Sequence, residues 1–368
     1  MSQFNLLFIL AVAALLIITW RWLTALINLI TGKPAPEASQ NKTGDVSVLI
    51  PARNEAKTLP RLFKSLTFCD ATIGEILVYN DQSEDETAEV VRLWSQKDSR
   101  IRIIEGKELP EGWTGKNHAC HQLAHEARSP FLLFLDADVE AGQEAIERAL
   151  SQMKKDRLAL FSFFPVQEMH TTGEWLLVAQ VNIILVSLLP LALSHRLPLQ
   201  LLTAANGQFM MFDASKYRSH QFHEKVSSKP VEDVAIARYL KKTGEKYLTA
   251  LAPESLKCRM YHNYGEALHG LSRSARFFFG GSILTGWIYV LFSILGWLPV
   301  LLSMPLIWLG VYFSLLVMVR IFVSVASHQP VVRNIILMPA QQAALFHLFL
   351  KATQQLIKQK TSWKGRTI

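Results

Sequence analysis

The sequence predicts an α/β domain with a mostly parallel sheet, held between hydrophobic segments long enough to enter a membrane. Three observations carry that prediction. Between Asp45 and Met260, short apolar runs alternate with stretches of helical periodicity, the pattern of a parallel sheet covered on both faces. Four acids, Glu55, Asp81, Asp136 and Asp138, sit just past the ends of those runs. Outside this region lie long uncharged stretches, and over the whole chain of 368 residues 50% are apolar and only 18% charged.

Residues 1–32 are expected to form an anchor. Phe4 to Trp20 carry no charge, Arg21 interrupts, and Trp22 to Ile30 resume the run, which together suffice to span a bilayer. A secretory signal is the alternative, but no Lys or Arg precedes the run and no A-x-A site follows it. With Arg21, Lys33 and Lys42 on its C-terminal side, the positive-inside tendency puts the following domain in the cytoplasm of an inner-membrane, multi-pass protein.

Residues 45–275 form the expected soluble domain. Val46 to Ile50 read as a strand that Pro51 stops, "KTLPRLFKSL" as a helix, and Ile76 to Tyr79 as a second buried strand ending at Asp81. Ser83 with Glu86 three residues on predicts a capping box. "IRIIE" follows as a strand, then a helix from about 117 to 127, then the buried strand Phe131 to Leu135. Residues 175–198 are apolar, yet Gln180, Asn182 and Pro190 weaken a span, so an interfacial segment or the wall of an acceptor groove is expected. "TAANGQFMMF" reads as a loop entering a strand, and Glu232 and Asp233 open a helix.

Residues 277–327 are expected to make a hairpin of two spans. Phe277 to Val319 is uncharged over about twice one span, Pro299 to Pro305 offers the turn, and Arg273, Arg276, Arg320 and Arg333 flank it. Residues 334–368 give a shorter apolar segment, read as an interfacial or re-entrant helix, and the basic tail "KQKTSWKGR".

Net charge is +8, but Lys and Arg are spread along the chain, which points to anionic lipid or substrate phosphate and away from nucleic acid. Cys69, Cys120 and Cys258 make an odd set without CxxC spacing, which fits a reducing compartment. "HACHQLAH" gathers His118, Cys120, His121 and His125, but no second ligand pair follows at zinc spacing, so an ordinary helix surface is the reading.

Asp136 and Asp138 pose the chemical question, because two adjacent carboxylates at the end of a buried strand repel and are costly to desolvate. A hard divalent cation, Mg²⁺ or Mn²⁺, resolves it and in turn binds a diphosphate. The competing explanation is a helix N-terminus capped from nearby.

"SVLIPARNE", "NDQSEDET", "GKNHA", "LDAD" and "VEDVAIARYLKKTG" stand in the order and at roughly the spacing found in family 2 glycosyltransferases of the GT-A fold, and the chain resembles that family over about residues 45–275. The flanks, "GLSRSARFFFGG" and "WKGR", resemble a membrane-bound branch acting on lipophilic acceptors such as carotenoid acids or hopanoids. The resemblance implies a Rossmann-like catalytic domain using a UDP-sugar, with UDP-glucose the expected donor. It implies that Pro51, Ala52, Arg53 and Glu55 hold the nucleotide, that Asp81 contacts the uracil, and that Lys116 lies near the diphosphate. Asp136 and Ala137 would lie near the ribose, with Asp138 ligating the metal alongside Asp136 and Asp233 acting as catalytic base. Asn206, Gly207, Glu232 and Arg259 would serve the sugar and acceptor side. Asn80 stands where the family often has another acid. Without the other motifs, Glu232 and Asp233 read better as a helix start that caps and offsets the dipole.

A transferase acting on polyprenyl phosphate and a non-catalytic membrane scaffold remain as alternatives. A processive polysaccharide synthase is less suited, since no QxxRW occurs.

Overall fold

The computed structural model describes residues 3–32, 44–69, 72–194, 202–357, 362–363 and 366–367. Lys33 and Lys42, used above to orient the chain, and much of the basic tail lie outside them. In chain order the elements are α1 (Gln3–Thr31), β1 (Val46–Ala52), α2 (Leu59–Thr67), β2 (Ile73–Asn80), α3 (Thr87–Ser95), β3 (Ile101–Glu105), α4 (Gly115–Glu126), β4 (Phe131–Leu135), β5 (Val139–Ala141) and α5 (Gln143–Asp156). There follow β6 (Leu160–Phe164), β7 (Val166–Gln167), α6 (Thr172–Leu188), α7 (Leu191–Ser194), β8 (Phe209–Asp213), α8 (Ala214–His220), α9 (Phe222–Lys225), α10 (Glu232–Thr243), β9 (Tyr247–Leu251) and β10 (Leu256–Cys258). The chain continues through α11 (Tyr264–Ser274), α12 (Ile283–Leu295), α13 (Trp297–Ser303), α14 (Leu306–Ala326), α15 (Val331–Ile336) and α16 (Met338–Ile357).

The chain divides into two units. Lys33–Val166 and Leu191–Arg259 form an α/β unit, and Met1–Gly32, Gln167–Pro190 and Met260–Thr367 a helical one.

In the α/β unit a seven-stranded sheet runs in the order β3-β2-β1-β4-β8-β6-β9. β1 is parallel to β2 and β4, β2 to β3, and β6 to β9, while β8 is antiparallel to both β4 and β6. The mostly parallel sheet follows from strands that are apolar on both faces: Val48, Leu49, Ile50, Leu77, Leu132 and Leu133 are all fully buried. The reversal of β8 pairs Phe209 with Leu135, so the loop that feeds β8 arrives beside the end of β4. β10 pairs antiparallel with β5 and sets Cys258 opposite Val139, immediately after Asp138.

Two local expectations are corrected. Pro51 does not stop the first strand, because β1 pairs with β4 only as far as Leu49, and beyond that point the missing N–H leaves no ladder bond unmade. Ser83 does not cap a helix; its Oγ accepts from the Asn54 N–H, and α3 begins later, after Asp85 has taken the Thr87 N–H.

In the helical unit, α1 and α14 are, among the described residues, the two helices long and apolar enough to cross a membrane, over Leu6–Thr31 and Leu306–Ala326. Leu16, Leu306 and Ile307 are among the large apolar side chains they leave exposed, the surface that hydrocarbon would cover. The uncharged run expected as the first leg of a hairpin is broken. A 3₁₀ turn, Ala275–Phe279, ends at Gly280 and Gly281 with φ of +73° and +91°, and α12 restarts at a bend of 97° with Ser282 as its N-cap. Only glycine takes those angles without strain, so the break is written in the sequence. α6 is mostly buried within this unit, where Asn28 of α1 donates to the carbonyl oxygens of Val186 and Leu189 at 2.7 Å each and closes the end of the helix.

Candidate active site

The sheet of the α/β unit brings five of the sequence-predicted residues into one hydrogen-bonded cluster. Asp136 follows β4; Lys116 sits in the first turn of α4, which Thr114 caps by accepting the Asn117 N–H; Glu232 and Asp233 open α10; Gly207 lies in the loop before β8. Lys116 Nζ is 2.8 Å from Asp136 Oδ1 and 2.9 Å from Glu232 Oε1, so one ammonium bridges a strand end and a helix start. The Gly207 N–H donates to Asp233 Oδ2 at 2.9 Å, and the Val234 N–H to Asp233 Oδ1 at 2.7 Å. A Cβ on residue 207 would lie 2.9 Å from Glu232 Oε1 and 3.1 Å from Lys116 Nζ, so glycine is needed here for space.

Asn206 serves the loop itself: its Oδ1 accepts the Gln208 N–H, and its backbone is held on both sides by Ser162 Oγ. A second group lies two strands away in β2 and beside it in β1. Arg53 Nη1 donates to the Asp81 carbonyl at 2.8 Å, the Asp81 N–H donates to the Ala52 carbonyl, and Pro51 pairs with Tyr79. Asn80 is engaged with Glu105 and with the Ser83 N–H. Glu55 accepts from Thr58 Oγ1 at 2.7 Å and adds its charge to those of Asp136 and Asp138. Ala137 is buried between the two aspartates, and Arg259 follows Cys258 at the end of β10.

Electrostatics divides the carboxyl groups. Burial works against the Lys116 ammonium, but Asp136 and Glu232 outweigh it and hold its pKa well above the ordinary lysine range. Desolvation would raise Glu232, yet Lys116 keeps it below the usual range; Asp136 is raised, because desolvation overcomes the same ammonium. Desolvation, reinforced by Asp136 and Glu55, pushes Asp138 up to about 7. Asp233 is pushed up to about 7 by desolvation and by Glu232.

Asp138 Oδ1 is buried without a hydrogen-bond partner, and the Asp136/Asp138 pair offers the oxygen donors that a hard divalent cation prefers. Among the described residues no group of three or more His, Cys, Asp and Glu side chains is placed to hold a metal alone. The pair therefore suits Mg²⁺ or Mn²⁺ in the manner of sites completed by phosphate oxygens and water.

Three residues of this region, Asn117, Gln208 and Cys258, stand outside the set expected from the sequence. Asn117, fully buried, donates to the carbonyl oxygens of Val226, Ser227 and Lys229 and so clamps the segment that leads into α10. Its place inside "GKNHA" was the available clue. Gln208 donates to Cys258 Sγ at 2.8 Å, and burial, with Asp138 and Asp136 beside it, pushes the Cys258 thiol well up. Nothing local in the sequence marks that pair.

Residues 47–218 match the family model of Glycosyl transferase family 2. A 4,4'-diaponeurosporenoate glycosyltransferase of Staphylococcus haemolyticus is 38% identical over 110 residues, which is 30% of this chain and 28% of the relative's length. The Staphylococcus aureus protein of that name is 33% identical over 109 residues, 29% of this chain and 28% of its own. The mannosyltransferase PcManGT of Pyrobaculum calidifontis, solved in complex with GDP-Man and Mn²⁺, shares the fold along 97% of this chain and 99% of its own, at 12% identity and a TM-score of 0.58. These findings uphold the resemblance carried by the five motifs and the GT-A architecture expected from it.

Proposed function

We propose that the α/β unit transfers a sugar, with inversion, from UDP-glucose to a lipophilic acceptor such as a carotenoid acid, at the cytoplasmic face of the inner membrane. One observation carries this reading: Lys116 bridges Asp136 and Glu232 while Gly207 reaches Asp233, so the acids past β4 and those opening α10 share one cluster. The name of the curated relatives supports a carotenoid acid as acceptor.

Asp136 and Asp138 would hold a divalent cation, which when bound would supply positive charge to the departing diphosphate. Arg53, Glu55 and Asp81 seat the nucleotide at the ends of β1 and β2, and the Lys116 ammonium beside Asp136 is a cation placed for the phosphates. The acceptor oxygen forms its bond to the anomeric carbon as the bond from that carbon to the diphosphate breaks. With a hydroxyl acceptor, Asp233 takes the proton, which a carboxyl near 7 can do at neutral pH. With a carboxylic acid the nucleophile arrives ionised and no proton is transferred. Asn206, Gly207, Glu232 and Arg259 line the sugar and acceptor side.

The test is transfer of labelled sugar by the full chain in neutral detergent with Mn²⁺, offering UDP-glucose or GDP-mannose with a polyene carboxylic acid. UDP-glucose is expected to be used, and Asp138→Ala to lower kcat about 10³-fold or more without unfolding the chain. An Asp138→Ala protein that keeps its melting temperature and its rate would overturn the assignment.

A further inference from the structure

Two arginines of the helical unit are not neutralised by its own residues. Arg21 is the one charged residue of α1 and Arg320 that of α14, and they are 2% and 1% exposed. Arg320 Nη1 donates to Gln341 Oε1 at 2.5 Å, but its Nε and Nη2 are buried with no hydrogen-bond partner. Gln341 is itself committed, its amide donating to the Trp175 carbonyl and to Asn334 Oδ1. Arg21 Nε donates to Ser187 Oγ at 3.2 Å, and its guanidinium carbon lies 5.3 Å from the centre of the Tyr289 ring. Tyr289 and Arg21 are both close enough to Arg320 to interact with its charge.

The carboxylates of this unit are Glu168, Glu174 and Glu266. Glu174 closes a capping box at the start of α6, and Glu266 accepts from His262 and Asn263 at the start of α11. Among the described residues neither Arg21 nor Arg320 forms an ion pair. A guanidinium does not shed its proton, and its planar fork of donors matches a carboxylate or phosphate. An ionisable group facing the interior of a membrane bundle marks a ligand site more often than a structural one. Val290, Val319 and Val323, fully buried in this unit on the same helices as Tyr289 and Arg320, give the two arginines apolar neighbours in the chain and no hydrated surface.

We propose that Arg21 and Arg320, with Tyr289, form a site in the helical unit for the oxyanion head of a lipophilic molecule, either the carboxylate of a long-chain acid or the phosphate of a phospholipid. This goes beyond sugar transfer and rests on the helical unit alone, so it stands or falls separately from the transferase reading.

The probe is cis-parinaric acid, a polyene carboxylate whose fluorescence rises in apolar surroundings, titrated into the full chain in neutral detergent beside its methyl ester. The acid is expected to bind at least about tenfold tighter than the ester, with Arg320→Gln removing that preference, Arg320→Lys keeping part of it, and ester binding unchanged. Displacement by phosphatidic acid but not by phosphatidylcholine assigns the phosphate source; displacement by long-chain acids alone assigns the carboxylate. Equal binding of acid and ester, full displacement by millimolar inorganic phosphate, or an Arg320→Gln chain that binds the acid undiminished would each refute the proposal. Should Arg320→Gln not fold, Arg21→Gln carries the same expectation, with thermal unfolding as the check on both.

Discussion

Desolvation raises Asp138 and Asp233 alike to about 7, with Asp136 and Glu55 adding to it at Asp138 and Glu232 at Asp233, and the two are separable by substitution. Between the ordinary aspartate value and about 7 the folded chain holds a proton on Asp138 that the unfolded chain has released, so stability falls as pH rises through that window and the cost is fully present above it. Asp138→Asn is therefore expected to gain in melting temperature over the unchanged chain on going from pH 5 to pH 8. Because the residue is only half-buried, the gain should be a few degrees. Mn²⁺ with UDP should reverse the order at pH 8, raising the melting temperature of the unchanged chain and leaving that of Asp138→Asn alone, a contrast that differential scanning fluorimetry reads directly. At Asp233 the readout is the rate. With a hydroxyl acceptor kcat/KM should climb through about pH 7 and Asp233→Asn should lose ~10²–10⁴-fold; with a carboxylic acid acceptor both effects should be small.

The elements show how residues far apart in sequence come to touch. Because β8 runs against β4, its feeding loop arrives at the strand end that carries Asp136, and Gly207 packs against Glu232 and Lys116. Gly207→Ala should lower kcat/KM about tenfold or more with little change in melting temperature, since the Cβ displaces functional side chains and not the core. Asn117→Leu should act through the segment before α10: it leaves three carbonyl oxygens without their donor, at a cost of about 1–3 kcal/mol in stability, and loosens Glu232 and Asp233 with it. The strand-bearing apolar runs were legible because burial on both faces is a local rule, whereas the break before α12 was missed, although the Gly280–Gly281 pair that takes its positive φ stood in the sequence. The extension of β1 through Pro51 and the late start of α3 were not, because each depends on which neighbour stops pairing or supplies a donor.

At the scale of the molecule, α1 and α14 make the chain expected to fractionate with membranes, to stay there in alkaline carbonate and to leave only with detergent. If the α/β unit lies inside, a cysteine introduced in α5 at the exposed Glu144 should resist a membrane-impermeant maleimide on intact cells and react after permeabilisation. The sequence by itself determined the first four strands, the long apolar segments and the acids past the strand ends, because apolar periodicity and charge are properties of neighbouring residues. Only the tertiary structure decided that Lys116 joins Asp136 to Glu232, that β8 turns against its neighbours, and that Arg21 and Arg320 are buried near each other. Apart from Lys116 and Asp136, those contacts link residues about fifty to three hundred positions apart, and chain closure over such distances is fixed by the packing of whole elements, which no local pattern encodes.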